Sequence, residues 1–514
     1  MKLFPFAAAL ALAACLAGPA AAAAAGHRVV LPGGVVPAAY RIDFTPHADA
    51  GDFDATVEID LDVRAATDRI VLNAADLVIS HATLSGEAAA PRVTMDAAAE
   101  RATFAFDHPV APGPHVLAIA YHGRIFDQPR GLFRLRYATP RGERTELFTQ
   151  FEETDARRFV PCWDEPAIKA RFELSARVPA GLMAVGNMPV AATEPLPGGL
   201  QRVRFAPTPR MSSYLLFFGL GDFERVHREV DGVDVGVIVK RGDTARAAFA
   251  LDAATRLLPY YDAWFGTRYP LPKLDMVAGA GESIGFGAME NWGALFYFER
   301  DLLVDERLAT EHAREVVFLT VAHEMAHQWF GDLVTMDWWD DLWLNEGFAT
   351  WMEDKATGHF HPEWQPWLQA AEPRQRAMDT DAREGTHPVV ARIDDITQAA
   401  GLFDDITYQK GAQVIRTLEA YVGEDAFRDG VRRYLAAHAY GNTVTEDLWA
   451  ALDQGSDHPV ATIARDLTRQ AGVPLVKELG ARCRGDHTEL TLSQGRYATD
   501  ADAAAATRWH VPVI

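Results

Sequence analysis

Three residues of one pentapeptide carry the first chemical signal. Residues 323–327 read HEMAH. On a helix, positions i and i+4 share a face, so His323 and His327 can turn both imidazoles toward one cation. Glu324 stands beside them, placed to act on a water without ligating the metal. Nineteen positions after His327, Glu346 in DLWLNEGFATWMED offers a third ligand from a second helix. Two histidines and one glutamate leave a fourth position open, the pattern of catalytic rather than structural zinc. One redox-silent Zn2+ per chain suits these ligands. The implied chemistry is hydrolysis of an amide bond, with Glu324 taking a proton from water and passing it to the leaving amine. HEMAH alone also fits a pair of hydrogen-bonded core histidines; the third ligand is what argues against that reading.

A second stretch, GFGAMENWG (285–293), sets one carboxylate, Glu290, on a strip nearly bare of side chains. By itself it reads as a turn or a tight packing site.

These residues need elements to hold them. VVFLTVAHEMAHQWF is apolar around most of its girth, so a buried helix is expected over 310–330, ended by Gly331. A helix over 341–356 carries Glu346, and a turn through Asp332–Asp340 brings it back beside the first. Asp332, Asp337, Asp340 and Asp341 are candidates to orient the histidines, with helix capping the stronger expectation for one of the last two. Upstream, 29–225 alternates with period two, as in ATVEIDLDV (55–63) and HVLAIAY (115–121), and reads as β-structure. From about His227 the period lengthens, with helices expected over 243–266 and in a helical array to Gly472. TELTLSQGRYA and RWHVPVI alternate again. The expected organisation is a multidomain α+β chain: a leader over 1–25, an N-terminal β-rich saddle or sandwich over 26–226, a catalytic domain over 227–472, and over 473–514 the start of a C-terminal β-sandwich that reads as truncated.

Composition narrows the classes of function. The chain has 514 residues, 49% hydrophobic and 23% charged, with a net charge of −22 and no block of like charges. That argues for several globular domains and against nucleic acid as a partner, since phosphates require clustered Lys and Arg. The first 25 residues resemble a secretory leader cleaved near Ala22–Ala25, too short for a good membrane span. Leu12-Ala13-Ala14-Cys15 offers the alternative of a lipid anchor at Cys15. Either route expects export, to a bacterial periplasm or outside the cell, and the lack of any N-x-[ST] acceptor points to the bacterial envelope. Cys162 and Cys483, far apart, do not suggest a disulfide scaffold.

Taken together, HEMAH, the step to Glu346 in WLNEGFA, and GAMENWG resemble the aminopeptidase N family of zinc metallopeptidases. The likeness extends through TQFEETDARRFVPCWDEPAIKARFEL (149–174), YPLPKLDMVA (269–278) and FDDITYQKGAQVIRTLE (403–419). The resemblance implies a thermolysin-like catalytic domain and removal of a neutral N-terminal residue from peptides with a free N-terminus. Glu290 and Glu152 would bind the substrate's α-ammonium. Gly287 and Ala288 would offer backbone groups to the peptide, which accounts for the missing side chains. Tyr408 would stabilise the oxyanion beside zinc. Gln150, Met289 and Phe403 would line the pocket for the first side chain. Aromatic packing for Tyr408 and a solvated face for Glu152 are the plainer readings without the resemblance.

Three other functions compete. A thermolysin-like endopeptidase would ignore the free N-terminus. A leukotriene-hydrolase-like bifunctional enzyme would be expected to carry glutamine where Glu152 stands. A non-catalytic binding scaffold sits poorly with intact His323, Glu324, His327, Glu346 and Tyr408. Oligomeric state is open.

Overall fold

A computed structural model describes residues 28–140, 142–283, 286–456, 458–499 and 507–512. The expected leader over 1–25, with Cys15, lies outside them. Alternation builds the first part of the chain. In strand Asp52–Val63, Val57, Ile59, Leu61 and Val63 are buried while Glu58 and Asp62 face solvent. Seven such strands form one sheet in the order Val190–Leu196, Leu200–Phe205, Arg171–Pro179, Val35–His47, Asp52–Val63, Gly113–Arg124, Leu77–Leu84. Only the pair Val35–His47 and Arg171–Pro179 is parallel, with Ala39 opposite Arg171. A three-stranded sheet and a four-stranded sheet complete this β-region. The four-stranded one contains Gly142–Gln150, whose last residue reaches the site.

A five-stranded sheet follows, ordered Phe223–Val230, Val233–Lys240, Lys273–Gly279, Ala294–Phe298, Ala288–Met289. Its first strand spans residues 226 and 227, where a domain boundary is expected from sequence. Its last strand, only two residues long, is the terminal one and pairs on one side alone, Ala288 with Tyr297 and Met289 with Phe296.

Two helices hold the histidines and Glu346. The first, Glu311–His327, begins with the Thr310 side chain accepting from the Ala313 amide at 3.1 Å. It is shorter than the expected 310–330 and stops at His327 rather than running to Gly331. Nor is it apolar and buried all round. Val317, Phe318, Val321 and Met325 are buried, but Leu319, Thr320 and His323 are half-buried along one face, because that face borders a cleft. The second helix runs Trp343–Phe360, two residues later at its start than expected and four later at its end. Neither Asp340 nor Asp341 caps it; both lie in a short 3-10 turn, and Leu342 occupies the cap position. Gly347 lets the helix Gly411–Val422 come close, since a Cβ there would lie 3.1 Å from the Gly411 backbone. That contact carries the π-helical turn Ile406–Lys410 up against Glu346.

The helical array continues through Gly411–Val422, Glu424–His438, Thr445–Asp453 and Val460–Arg469 to a hairpin, Val473–Arg484 with His487–Tyr497. Residues 507–512 form no strand despite their alternation. Instead Trp509 is buried and exchanges two hydrogen bonds with the Gln494 side chain, and Pro512 has no N–H to give a ladder. One contiguous apolar core runs from Leu31 to Ala464. Cys162 and Cys483 are both free. No helix among the described residues is long and apolar enough to cross a membrane.

Candidate metal centre

His323 and His327 turn their Nε2 atoms toward each other at 3.0 Å. Each lies 3.4 Å from Glu346 Oε2. A tetrahedral ion with bonds of about 2.0–2.1 Å separates its ligands by roughly 3.3 Å, so the three atoms have the spacing of a zinc ligand set. The opposite ring nitrogens are already engaged. His323 Nδ1 meets Glu353 Oε2 at 2.5 Å, and His327 Nδ1 meets the Phe330 carbonyl at 3.0 Å. A carbonyl can only accept, so His327 carries a proton on Nδ1, and the bond aims Nε2 at the position shared with His323 and Glu346.

Sequence reasoning missed Glu353. It lies seven residues beyond Glu346, two turns along the same helix, and that spacing is the signal that would have found it. Three of the four aspartates proposed for orienting the histidines are bonded elsewhere, and Asp337 is exposed. Asp332 Oδ2 accepts from Gln328, Asp340 takes the Ile393 amide, and Asp341 takes the Thr445 hydroxyl.

The twelve residues expected to ligate metal, catalyse or bind substrate border one cleft of about 700 Å³; the four aspartates do not. Glu324, Glu290 and His327 bring ligand atoms within 4.8 Å of one another, as do Glu152, Glu290 and Glu346. Gln150 reaches Met289 Sδ at 3.5 Å. Ala288 opens the two-residue edge strand that forms one wall, Gly287 directly precedes it, and Phe403, 36% exposed, sits at the rim. Tyr408 stacks near the His323 ring, with centroids 6.2 Å apart.

Carboxyls and imidazoles in the cleft shift one another's proton affinity. Burial pushes the Glu324 carboxyl up to about 8, against the pull of His323 and His327. Burial raises Glu290 as well, and it raises Glu152 together with the charges of Glu290 and Glu346. For Glu346 burial acts in the same sense, but His327 and His323 outweigh it and hold the group at about 2. Burial works against charge on His327, yet Glu290 and Glu346 lift it to about 9. Burial, then Glu346, Glu152 and Glu290, raise the Tyr408 phenol, which keeps its proton and remains a donor. Four carboxyl groups thus face two imidazoles in one cleft. A divalent ion on His323, His327 and Glu346 fits the donor set.

Two histidines and a glutamate on adjoining helices, beside a β-edge, define a metallopeptidase type of centre. The chain belongs to the M1 peptidase family: the Peptidase family M1 domain matches residues 249–467 and the Peptidase M1 N-terminal domain matches 36–215. It is 39% identical to Aminopeptidase M1-C of Oryza sativa subsp. japonica, over 94% of this chain and 54% of that protein. It is likewise 39% identical to Aminopeptidase M1 of Arabidopsis thaliana, over 94% of this chain and 55% of the other. The Puromycin-sensitive aminopeptidase of Caenorhabditis elegans is 36% identical, over 94% and 52%. The chain thus spans about half the length of the curated relatives it matches. The expected export to a bacterial envelope does not stand: these relatives are aminopeptidases of plants and a nematode, and none of their names marks export.

Proposed function

We propose that this chain forms the catalytic part of a zinc aminopeptidase that removes a neutral N-terminal residue from peptides. The observation that carries this reading is the placement of Glu290. Its carboxylate lies within 4.8 Å of ligand atoms from both Glu324 and His327, and it is 3% exposed. An anion fixed that close to the hydrolytic groups asks for a cation on the substrate, and a peptide offers one beside the scissile bond only at its free N-terminus.

His323, His327 and Glu346 would hold the zinc. When bound, zinc supplies Lewis acidity toward the scissile carbonyl and makes water more acidic. Glu324 takes the proton of the attacking water and returns it to the leaving amine. Tyr408 donates its hydroxyl to the oxyanion. Glu290 and Glu152 pair with the α-ammonium. The open edge of Ala288–Met289, preceded by Gly287, receives the peptide backbone as an added strand. Gln150, Met289 and Phe403 border the first side chain, and the absence of a dedicated charge among them favours neutral residues. The division at 226/227 and 472/473 accompanies this reading, with the first boundary loosened by the strand that crosses it.

Paired substrates test the proposal. A leucine arylamide with a free amine should be cleaved and its N-acetylated form should not, and a chelator should abolish the cleavage. Equal rates on the two would overturn it.

A further inference from the structure

We infer that Gln328 is the positioning residue that sets the distance between the metal-binding histidines and Glu290. This rests on the reading of Glu290 as the ammonium-binding group. Gln328 directly follows His327 at the end of the histidine helix and is fully buried. Its amide Nε2 donates to the Glu290 carbonyl at 3.1 Å and to Asp332 Oδ2 at 2.8 Å. Its Oε1 accepts from the Gly293 amide at 3.1 Å and from the Tyr269 hydroxyl at 3.4 Å. A backbone carbonyl accepts only and a backbone N–H donates only, so the side chain has one orientation.

One side chain thus holds the 290–293 turn at both ends, one residue away from His327. The strip's other anchors lead elsewhere. Lys273 Nζ donates to the Gly293 carbonyl at 2.7 Å, tying the strip to the neighbouring strand. Asn187 Nδ2 donates to the Trp292 carbonyl at 3.0 Å, tying it to the N-terminal β-region. Gly293 sits at φ +78, and a Cβ there would meet the Asn187 carbonyl at 2.6 Å, so glycine is what lets the turn lie this close to the β-region. Gln328 supplies the link to the helix that holds the histidines. Asp332, which follows that helix, braces the amide from behind and has its own carbonyl bonded by Lys169 Nζ at 3.4 Å. A ligand that engages zinc and Glu290 at once depends on this spacing, whereas a ligand of either group alone does not.

The test uses three ligands and the zinc-loaded protein, with affinities measured by calorimetry. Leucine hydroxamate reaches both groups, N-acetyl-leucine hydroxamate reaches the metal alone, and 3-methylbutylamine reaches the carboxylates alone. In Gln328→Met, leucine hydroxamate should bind at least about tenfold more weakly, the scale on which lost alignment of two tethered groups is felt. The two single-site ligands should stay within about threefold, and zinc content should be unchanged. Gln328→Asn keeps the amide but is one methylene too short to bridge the turn, so it should give the same divergence and serves if the methionine variant fails to fold. Parallel weakening of all three ligands, weakening of a single-site ligand, or no change in any would overturn the inference. If the unsubstituted protein binds the two hydroxamates equally, the aminopeptidase reading itself fails, which is a separate outcome.

Discussion

At the scale of single residues, Glu324 and Tyr408 separate base from ligand and ground state from transition state. Glu324 lies beside the Glu346 and histidine set without being needed to complete it. Glu324→Ala should therefore keep its zinc and lose turnover by about 10²–10⁴-fold, the usual contribution of a positioned base. Metal analysis beside a kcat measurement checks this, and loss of zinc would show that the residue is a ligand. Tyr408 is half-buried at the cleft, and its phenol, raised by its surroundings, keeps its proton. Its contact is proposed for the oxyanion, which exists only after attack has begun. Tyr408→Phe should lower kcat by about 10²-fold with little change in KM. A variant that altered KM alone would place the hydroxyl on the bound substrate instead. The residues of HEMAH and Glu346 are legible in sequence because a helix converts spacing into direction. Gln328 and Glu353 are not, because each matters through a partner that only folding brings near: Glu290, 38 positions from Gln328, and His323, 30 positions from Glu353.

At the scale of elements, the site depends on two helices holding one face toward each other. Glu346 and Glu353 sit two turns apart on the second helix, one facing the cation position and the other the back of His323. In the proposed reading the second helix therefore both supplies a ligand and orients His323. Glu353→Ala should weaken zinc binding about 10–100-fold. Competition against a chelator of known affinity measures this, and unchanged retention of zinc would leave Glu353 as a surface partner only. Sequence periodicity finds both helices but misplaces their ends. Apolar residues Trp329 and Phe330 prolong the pattern past His327, although there they pack as a turn that lets the Asp332 amide reach the His327 carbonyl. The π-helical turn that presents Tyr408 has no periodic signature over five residues. The two-residue strand Ala288–Met289 is too short to alternate, so resemblance alone indicates that it borders the substrate.

At the scale of the whole molecule, the β-region and the catalytic region meet where Glu146 is buried. Glu146 lies on strand Gly142–Gln150, whose final residue borders the cleft, and it accepts the Ala280 amide at 3.0 Å. Ala280 directly follows strand Lys273–Gly279 of the five-stranded sheet, so this bond joins the two regions just ahead of the loop toward Glu290. Glu146 is fully inaccessible to solvent, and burial pushes its carboxyl up to about 8 from an ordinary 4.5. Folded protein therefore keeps a proton there that the unfolded chain releases between pH 4.5 and about 8. With more protons bound when folded, stability must fall as pH rises through that window. The contribution is complete below 4.5 and gone above about 8. The slope from one such group is up to about 1.4 kcal/mol per pH unit. Glu146→Gln keeps an oxygen for the Ala280 amide but cannot ionise. It should flatten the pH dependence of unfolding between pH 5 and 8, and at pH 8 it should be more stable than the unsubstituted protein. Urea unfolding at pH 5.5 and pH 8 reads both. Identical slopes for the two proteins would mean that Glu146 ionises in the folded state as readily as in the unfolded chain.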